Sequence, residues 1–383
     1  MKILYDHQAF VYQVFGGVSR YFAEIIDNLP GNITFEIAIK RSNNIYLNNK
    51  NLVANLLPDY DIETNFLPYI HSTKKKNLFK LLAKILPQHF PFSKYYNRIY
   101  AQEKLSDNSF DLFHATYYDP YFLTLLKGKP FVLTIHDMID EIYGIGHYTP
   151  KRKLLLAHHA THIIAVSHQT KKDIVRILNI NPEKISVVYH ASALKVVSSD
   201  ITLPTNYILF VGGRTQGYKN FHFFIKTVSE ILSLCKDLEI VCVGSSFTAE
   251  EKKIFKDLQI SERIHFINAT EEELFTIYHN AKIFVFPSLY EGFGIPILEA
   301  FQAGCPVILS NSSCFPEIAG NAALYFEESN QESLKEAIIL MYTKKELRDK
   351  YIFLGTERLK VFSWEKAAKQ TAEVYNKILI PKL

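Results

Sequence analysis

Two glutamates, Glu291 and Glu299, stand with seven residues between them in the segment Phe286–Ile308, FPSLYEGFGIPILEAFQAGCPVI. The apolar run ending at Pro287 reads as a strand, and a loop holding Glu291, Gly292 and Gly294 follows it. Pro296 sits where a first-turn proline is tolerated, because the N–H it lacks has no intrahelical partner there. Loop amides and a helix N-terminus so placed suit an anion or a hydroxyl-rich ligand. Glu299 falls about one turn into that helix, among Ile297, Leu298 and Phe301. A carboxylate in apolar company needs hydrogen-bond donors, which a sugar or ribose diol supplies. The competing reading is structural, with Glu291 a surface charge of the loop and Glu299 a complement to the helix dipole.

A second segment, Ile208–Ile225, ILFVGGRTQGYKNFHFFI, runs a buried strand into Gly212 and Gly213, where the backbone can turn against a ligand. Arg214 and Lys219 follow, and two cations at a strand's carboxyl end suit either a diphosphate or plain solvent. No Gly-Lys-Ser/Thr opens the next helix, which disfavours a triphosphate-hydrolysing P-loop. In Phe15–Arg20, FGGVSR, Gly16 and Gly17 either bring amides against a phosphate or acceptor, or make a tight turn. His136, beside Asp137 after the run Phe131–Ile135, is either catalytic or a polar loop histidine. His158, His159 and His162 include an i, i+4 pair, but no Glu follows His158 in the zincin manner, so no metal site is expected.

Strands whose carboxyl ends converge are needed to hold such groups together. Apolar runs at Lys2–Tyr5, Thr34–Ile39, Leu112–His114, Phe131–Ile135, Ile163–Val166 and Ile185–Val188 predict strands buried on both faces. Helical patterns fall between several of them, at Gly17–Leu29 and after Ser167, which can cap Lys171–Leu178. Val197–Asn206, VSSDITLPTN, has no periodicity and reads as a linker. A second alternating series follows, with strands at Tyr207–Val211, Glu239–Val243, Ile264–Ile267, Ile283–Pro287 and Val307–Ser310. The pattern predicts an α/β chain of two Rossmann-like, doubly wound domains facing a central cleft. Their expected bounds are 1–200 and 201–362, with a final helix in 363–383.

Composition agrees with that architecture. At 383 residues, 48% hydrophobic and 21% charged, the chain is too long for one ordinary core and too apolar for disorder. A net charge of +4 gives no continuous footprint for nucleic acid, and the four cysteines have no CxxC spacing. No apolar run approaches the roughly 20 residues that span a bilayer, and the first residues lack a signal-peptide core, so a cytoplasmic protein is expected. Lys74–Phe92, KKKNLFKLLAKILPQHFPF, sets lysines against leucines, as a helix on an anionic inner-membrane face would, or as an ordinary surface helix does.

Taken together, SLYEGFGIPILEA, the GGR…K pattern and FGGVSR resemble the retaining GT-B glycosyltransferases of family four. TIHDM, IIAVSHQTKKDI, CFPEIAGNAALYF and FSWEKAA are similar to the branch of bacterial mannosyl- and rhamnosyltransferases of surface polysaccharide assembly. The resemblance implies that Arg214 and Lys219 neutralise a donor diphosphate, with Gly213 beside them, and that Glu299 holds the ribose. It further implies that Glu291 and the backbone of Phe293, Gly294 and Ile295 hold the transferred sugar, that His136 contacts it, and that Gly16 and Gly17 approach the phosphate from the other domain. Neither metal nor other cofactor is implied. GDP-mannose is the leading donor and a lipid-linked glycan the expected acceptor. Alternatives are a UDP- or dTDP-linked sugar, with the base loop near Phe266–Thr270, or a non-catalytic sugar-nucleotide binder. One departure stands out: Val187–Leu194 reads VVYHASAL where the family usually carries an Asn-Gly-(Val/Ile)-Asp turn.

Overall fold

The computed structural model describes residues 1–59 and 92–379. The lysine-rich stretch Lys74–Phe92 therefore lies outside the described residues but for its last. The strands are β1 (Lys2–Tyr5), β2 (Thr34–Ile37), β3 (Leu112–Ala115), β4 (Phe131–Ile135), β5 (His162–Ala165) and β6 (Ile185–Val187) in one sheet. A second sheet holds β7 (Tyr207–Val211), β8 (Glu239–Val243), β9 (Ile264–Ile267), β10 (Ile283–Phe286), β11 (Val307–Ser310) and β12 (Leu324–Phe326). The orders are β2-β1-β3-β4-β5-β6 and β12-β11-β10-β7-β8-β9, and every pairing is parallel.

Chain direction across each sheet reverses once, between β1 and β3 and between β7 and β10. Ligands of open parallel sheets bind outside the carboxyl ends at such a reversal. The segments carrying Gly212–Lys219 and Glu291–Glu299 leave β7 and β10, so both flank the second reversal. The alternating pattern was legible because β3, β4, β5, β10 and β11 are buried at every residue. Thr34–Ile39 pairs only to Ile37, after which the Ile39 N–H turns back to the Ile37 carbonyl at 2.7 Å. Val197–Asn206 carries neither helix nor strand.

The last described helix, Trp364–Leu379, packs on the helix Gly17–Asp27 and on β5. The Tyr375 hydroxyl is shared there by the Tyr5 hydroxyl at 2.8 Å and by His114 Nδ1 at 2.6 Å, and His114 Nε2 meets Thr134 Oγ1 at 2.9 Å. All four residues are buried, so each polar atom depends on the others. Tyr375→Phe should cost about 1–3 kcal/mol by stranding Tyr5 and His114, which urea denaturation would measure.

Candidate active site

Gly294 lies in the left-handed region (φ 89°) and caps the helix Ile295–Gln302, a conformation that a side chain would strain. Gly16 caps the helix Gly17–Asp27. The two helices belong to different sheets yet meet at their first residues: a Cβ on Gly17 would stand 4.0 Å from Ile295 Cδ1. Each helix start carries about half a positive charge, so an anion is favoured where the two come together. Between them, the loop before Gly294 touches the first sheet. A Cβ on Gly292 would fall 1.7 Å from the His136 carbonyl oxygen, so only glycine fits this approach. The Gly292 carbonyl accepts from Ser167 Oγ at 2.7 Å and Thr170 Oγ1 at 3.1 Å. Nearby, Glu317 takes the His168 and Gln169 N–H groups at 2.6 and 3.0 Å, a carboxylate of one half capping a helix of the other.

Arg214 and Lys219 diverge. β7 lies between β8 and β10, and each cation leans toward a different neighbour. Lys219, ending a 3-10 turn before left-handed Asn220, places Nζ 2.6 Å from Glu291 Oε1, so one ion pair bridges the reversal point. Arg214 turns toward the segment after β8 and binds Glu251 through Nε at 2.7 Å and the Ser245 carbonyl through Nη2 at 2.7 Å. Burial alone would raise the Glu251 carboxyl, but hydrogen bonds from Arg214 and the Thr248 N–H outweigh it and hold it below the usual carboxylate range. Arg214 Nη1 is buried with no partner. Gly213 directly precedes it in the chain.

Glu299 is buried, with Tyr278 donating to Oε2 at 3.1 Å and Arg20 Nη1 at 3.7 Å from Oε1. Burial holds its carboxyl above the ordinary range, against the pull of Arg20 and Tyr278, and Glu271 adds to the rise. Phe293 is buried against His190 (ring centroids 4.9 Å), while Phe266 at the base-loop segment is exposed. Sequence reasoning missed Arg20, Tyr278 and Glu251. The last had a local signal, the Thr248-x-x-Glu251 capping box.

The His136 ring stacks on His190 (5.6 Å, 22°) and meets Tyr21 edge-on at 5.0 Å, while Nε2 is buried without a partner. The departure at Val187–Leu194 thus supplies an imidazole that fills the seam between the sheets, with Trp364 Nε1 donating to the Ser192 carbonyl at 3.1 Å. Burial lowers His114 to about 3, His136 to about 4 and His190 well below the ordinary imidazole value. All three are neutral at pH 7. Below pH 6.5 the unfolded chain binds protons that the native chain refuses, so stability should fall by about 1.4 kcal/mol per pH unit for each histidine. The loss should run from pH 6.5 toward 4, and denaturant midpoints across that range would check it. Of the histidines set aside as ligands, His162 meets Ser186 Oγ at 2.9 Å, and among the described residues no three candidate ligands gather. No helix among the described residues is long and apolar enough to cross a membrane.

Known proteins bear on this frame. The family description "Glycosyltransferase Family 4" matches residues 15–192, and "Glycosyl transferases group 1" matches 192–357. The chain is 34% identical over 225 residues to the O-antigen chain mannosyltransferase RfbU of Salmonella typhimurium, covering 56% of this chain and 61% of that one. To the O-antigen chain mannosyltransferase B of Escherichia coli it is 26% identical over 285 residues, covering 68% and 73%. Among solved structures, Anabaena HepE in complex with UDP-glucose superposes with a TM-score of 0.70 at 14% identity, covering 98% of this chain and 99% of that one, a likeness of fold. Two family matches end to end on twin parallel sheets settle the membership: the chain belongs to the GT-B glycosyltransferases of family four.

Proposed function

We propose that the protein transfers a hexose, mannose from GDP-mannose in the leading case, onto a growing cell-surface glycan. The observation that carries this is the ion pair Lys219–Glu291, which spans the β7/β10 reversal beside the two helix starts at Gly17 and Ile295. A diphosphate there meets Lys219 and the helix amides, and a sugar beyond it meets Glu291 and the loop Phe293–Ile295. Charge that develops on the departing diphosphate is then stabilised by groups already in position. In this proposal protein cations and amides, rather than a divalent ion, carry that charge. Transfer proceeds with retention, the leaving phosphate accepting the acceptor hydroxyl's proton, and the halves correspond to residues 1–200 and 201–362.

Mannose is favoured by the two O-antigen mannosyltransferase relatives. UDP-linked sugars are the second reading, because HepE was solved with UDP-glucose. A lipid-linked acceptor is supported by a Campylobacter jejuni relative, 26% identical over 223 residues, named for a diphospho-undecaprenol acceptor. Nucleoside diphosphate released from a panel of GDP-, UDP- and dTDP-sugars tests the donor. Turnover with GDP-mannose is expected. Release from a uridine donor alone would replace the leading choice, and release from none would leave only the non-catalytic binder.

A further inference from the structure

Glu299 is approached from both halves of the molecule. Its Oε2 is engaged by Tyr278, whereas Oε1 lies 3.7 Å from Arg20 Nη1, within ion-pair range but beyond a hydrogen bond, and so remains open to a hydroxyl. Arg20 is itself fixed. Its Nη2 pairs with Glu271, and the Tyr46 ring centroid lies 5.0 Å from the guanidinium carbon. The side chains of Arg20 and Glu299 are only 14% and 8% exposed. The titratable groups facing Glu299 are Arg20 from the helix Gly17–Asp27, and Glu271 and Tyr278 from the helix Glu271–Asn280. Arg20 is the cation among them, and it opposes the effect of burial.

We propose that Arg20 is a positioning residue for nucleoside recognition, spanning Glu271 and Glu299 across the cleft and holding Glu299 Oε1 as an ionised acceptor for a ribose hydroxyl. This rests on Glu299 being the ribose ligand. The helix Gly17–Asp27 then meets the donor twice, with its first turn at the diphosphate and Arg20 one turn later at the ribose carboxylate. One side chain then serves both the contact between the halves and the recognition of ribose.

The test is calorimetric titration of the full chain with GDP and with 2′,3′-dideoxy-GDP, and with the matching uridine pair, at pH 6.5 and 8.5. The wild-type chain should prefer the ribonucleotide by about tenfold or more at both values, the worth of a hydrogen bond to a charged group. Glu299→Gln should erase that preference at both. Arg20→Met should weaken it, and more at pH 6.5 than at pH 8.5, because a buried carboxyl that loses its cation ionises less readily. Arg20→Lys should retain it. Glu271→Gln, which leaves Arg20 to Glu299 alone, should also retain it, and keeps the test open if Arg20→Met fails to fold. A merely structural Arg20 would weaken both nucleotides equally. That outcome, an intact preference in Arg20→Met at pH 6.5, or a lost one in Glu271→Gln overturns the inference while Glu299→Gln still behaves as expected. A preference that survives Glu299→Gln, or no binding of either nucleotide, overturns the ribose assignment beneath it.

Discussion

Lys219→Ala should lower turnover of the nucleotide sugar by about 10²–10³-fold, with a smaller change in donor KM. The ammonium group is held 2.6 Å from Glu291, with the Phe286 ring centroid 5.5 Å away, so its position is set before any donor arrives. Its charge matters most when the diphosphate departs, which is why the loss should fall on kcat. Removing it also leaves the largely buried Glu291 carboxylate without its cation, an added repulsion toward the diphosphate. Steady-state release of nucleoside diphosphate measures the effect, with a thermal melt to show that the variant is folded. Turnover within a few-fold of wild type would remove Lys219 from the phosphate site.

The second large effect is expected from a single methyl group. In Gly292→Ala the new Cβ would lie 1.7 Å from the His136 carbonyl oxygen, 2.8 Å from its carbon and 3.0 Å from Asp137 Cβ. His136 directly follows β4, which is hydrogen-bonded on both sides by β3 and β5, so the carbonyl cannot retreat. The loop must withdraw instead, losing the bonds from Ser167 and Thr170 to the Gly292 carbonyl. A displacement near 1 Å at a reacting centre costs about 10²-fold, so transfer should fall by at least that much. Nucleoside diphosphate affinity should change only a few-fold, because Lys219 and Glu299 lie on a turn and a helix outside the displaced contact. An active Gly292→Ala enzyme would mean that this contact is not held during the reaction.

Much of this frame could be read from local pattern. A buried strand followed by a glycine loop and a first-turn proline announces itself within about fifteen residues, so Glu291, Gly294 and Glu299 could be located on their elements beforehand. What could not be read depends on distance along the chain. Arg20 and Glu271 are 251 residues apart, and no local rule pairs them. Arg214 and Lys219 look equivalent in sequence, yet the turn at Gly217–Lys219 and left-handed Asn220 send them to opposite neighbours of β7. β12, Leu324–Phe326, is not among the predicted strands, and two of its three residues are only half-buried. The VVYHASAL departure was legible as a departure, but not as a stacked imidazole, since its partner His136 lies on another strand end.

The shared hydroxyl of Tyr375 also governs the order in which the protein can be completed. Tyr5 and His114 lie on β1 and β3, but the hydroxyl they share is 370 residues beyond Tyr5. At roughly 5–20 residues per second, the N-terminal sheet, whose last strand ends at Val187, waits on the order of 10–40 s for the group that satisfies its interior. During that interval its outer face, later covered by Trp364–Leu379, is open to water, to chaperones or to another nascent chain. The last described helix thus sets when the interior of the first sheet becomes satisfied.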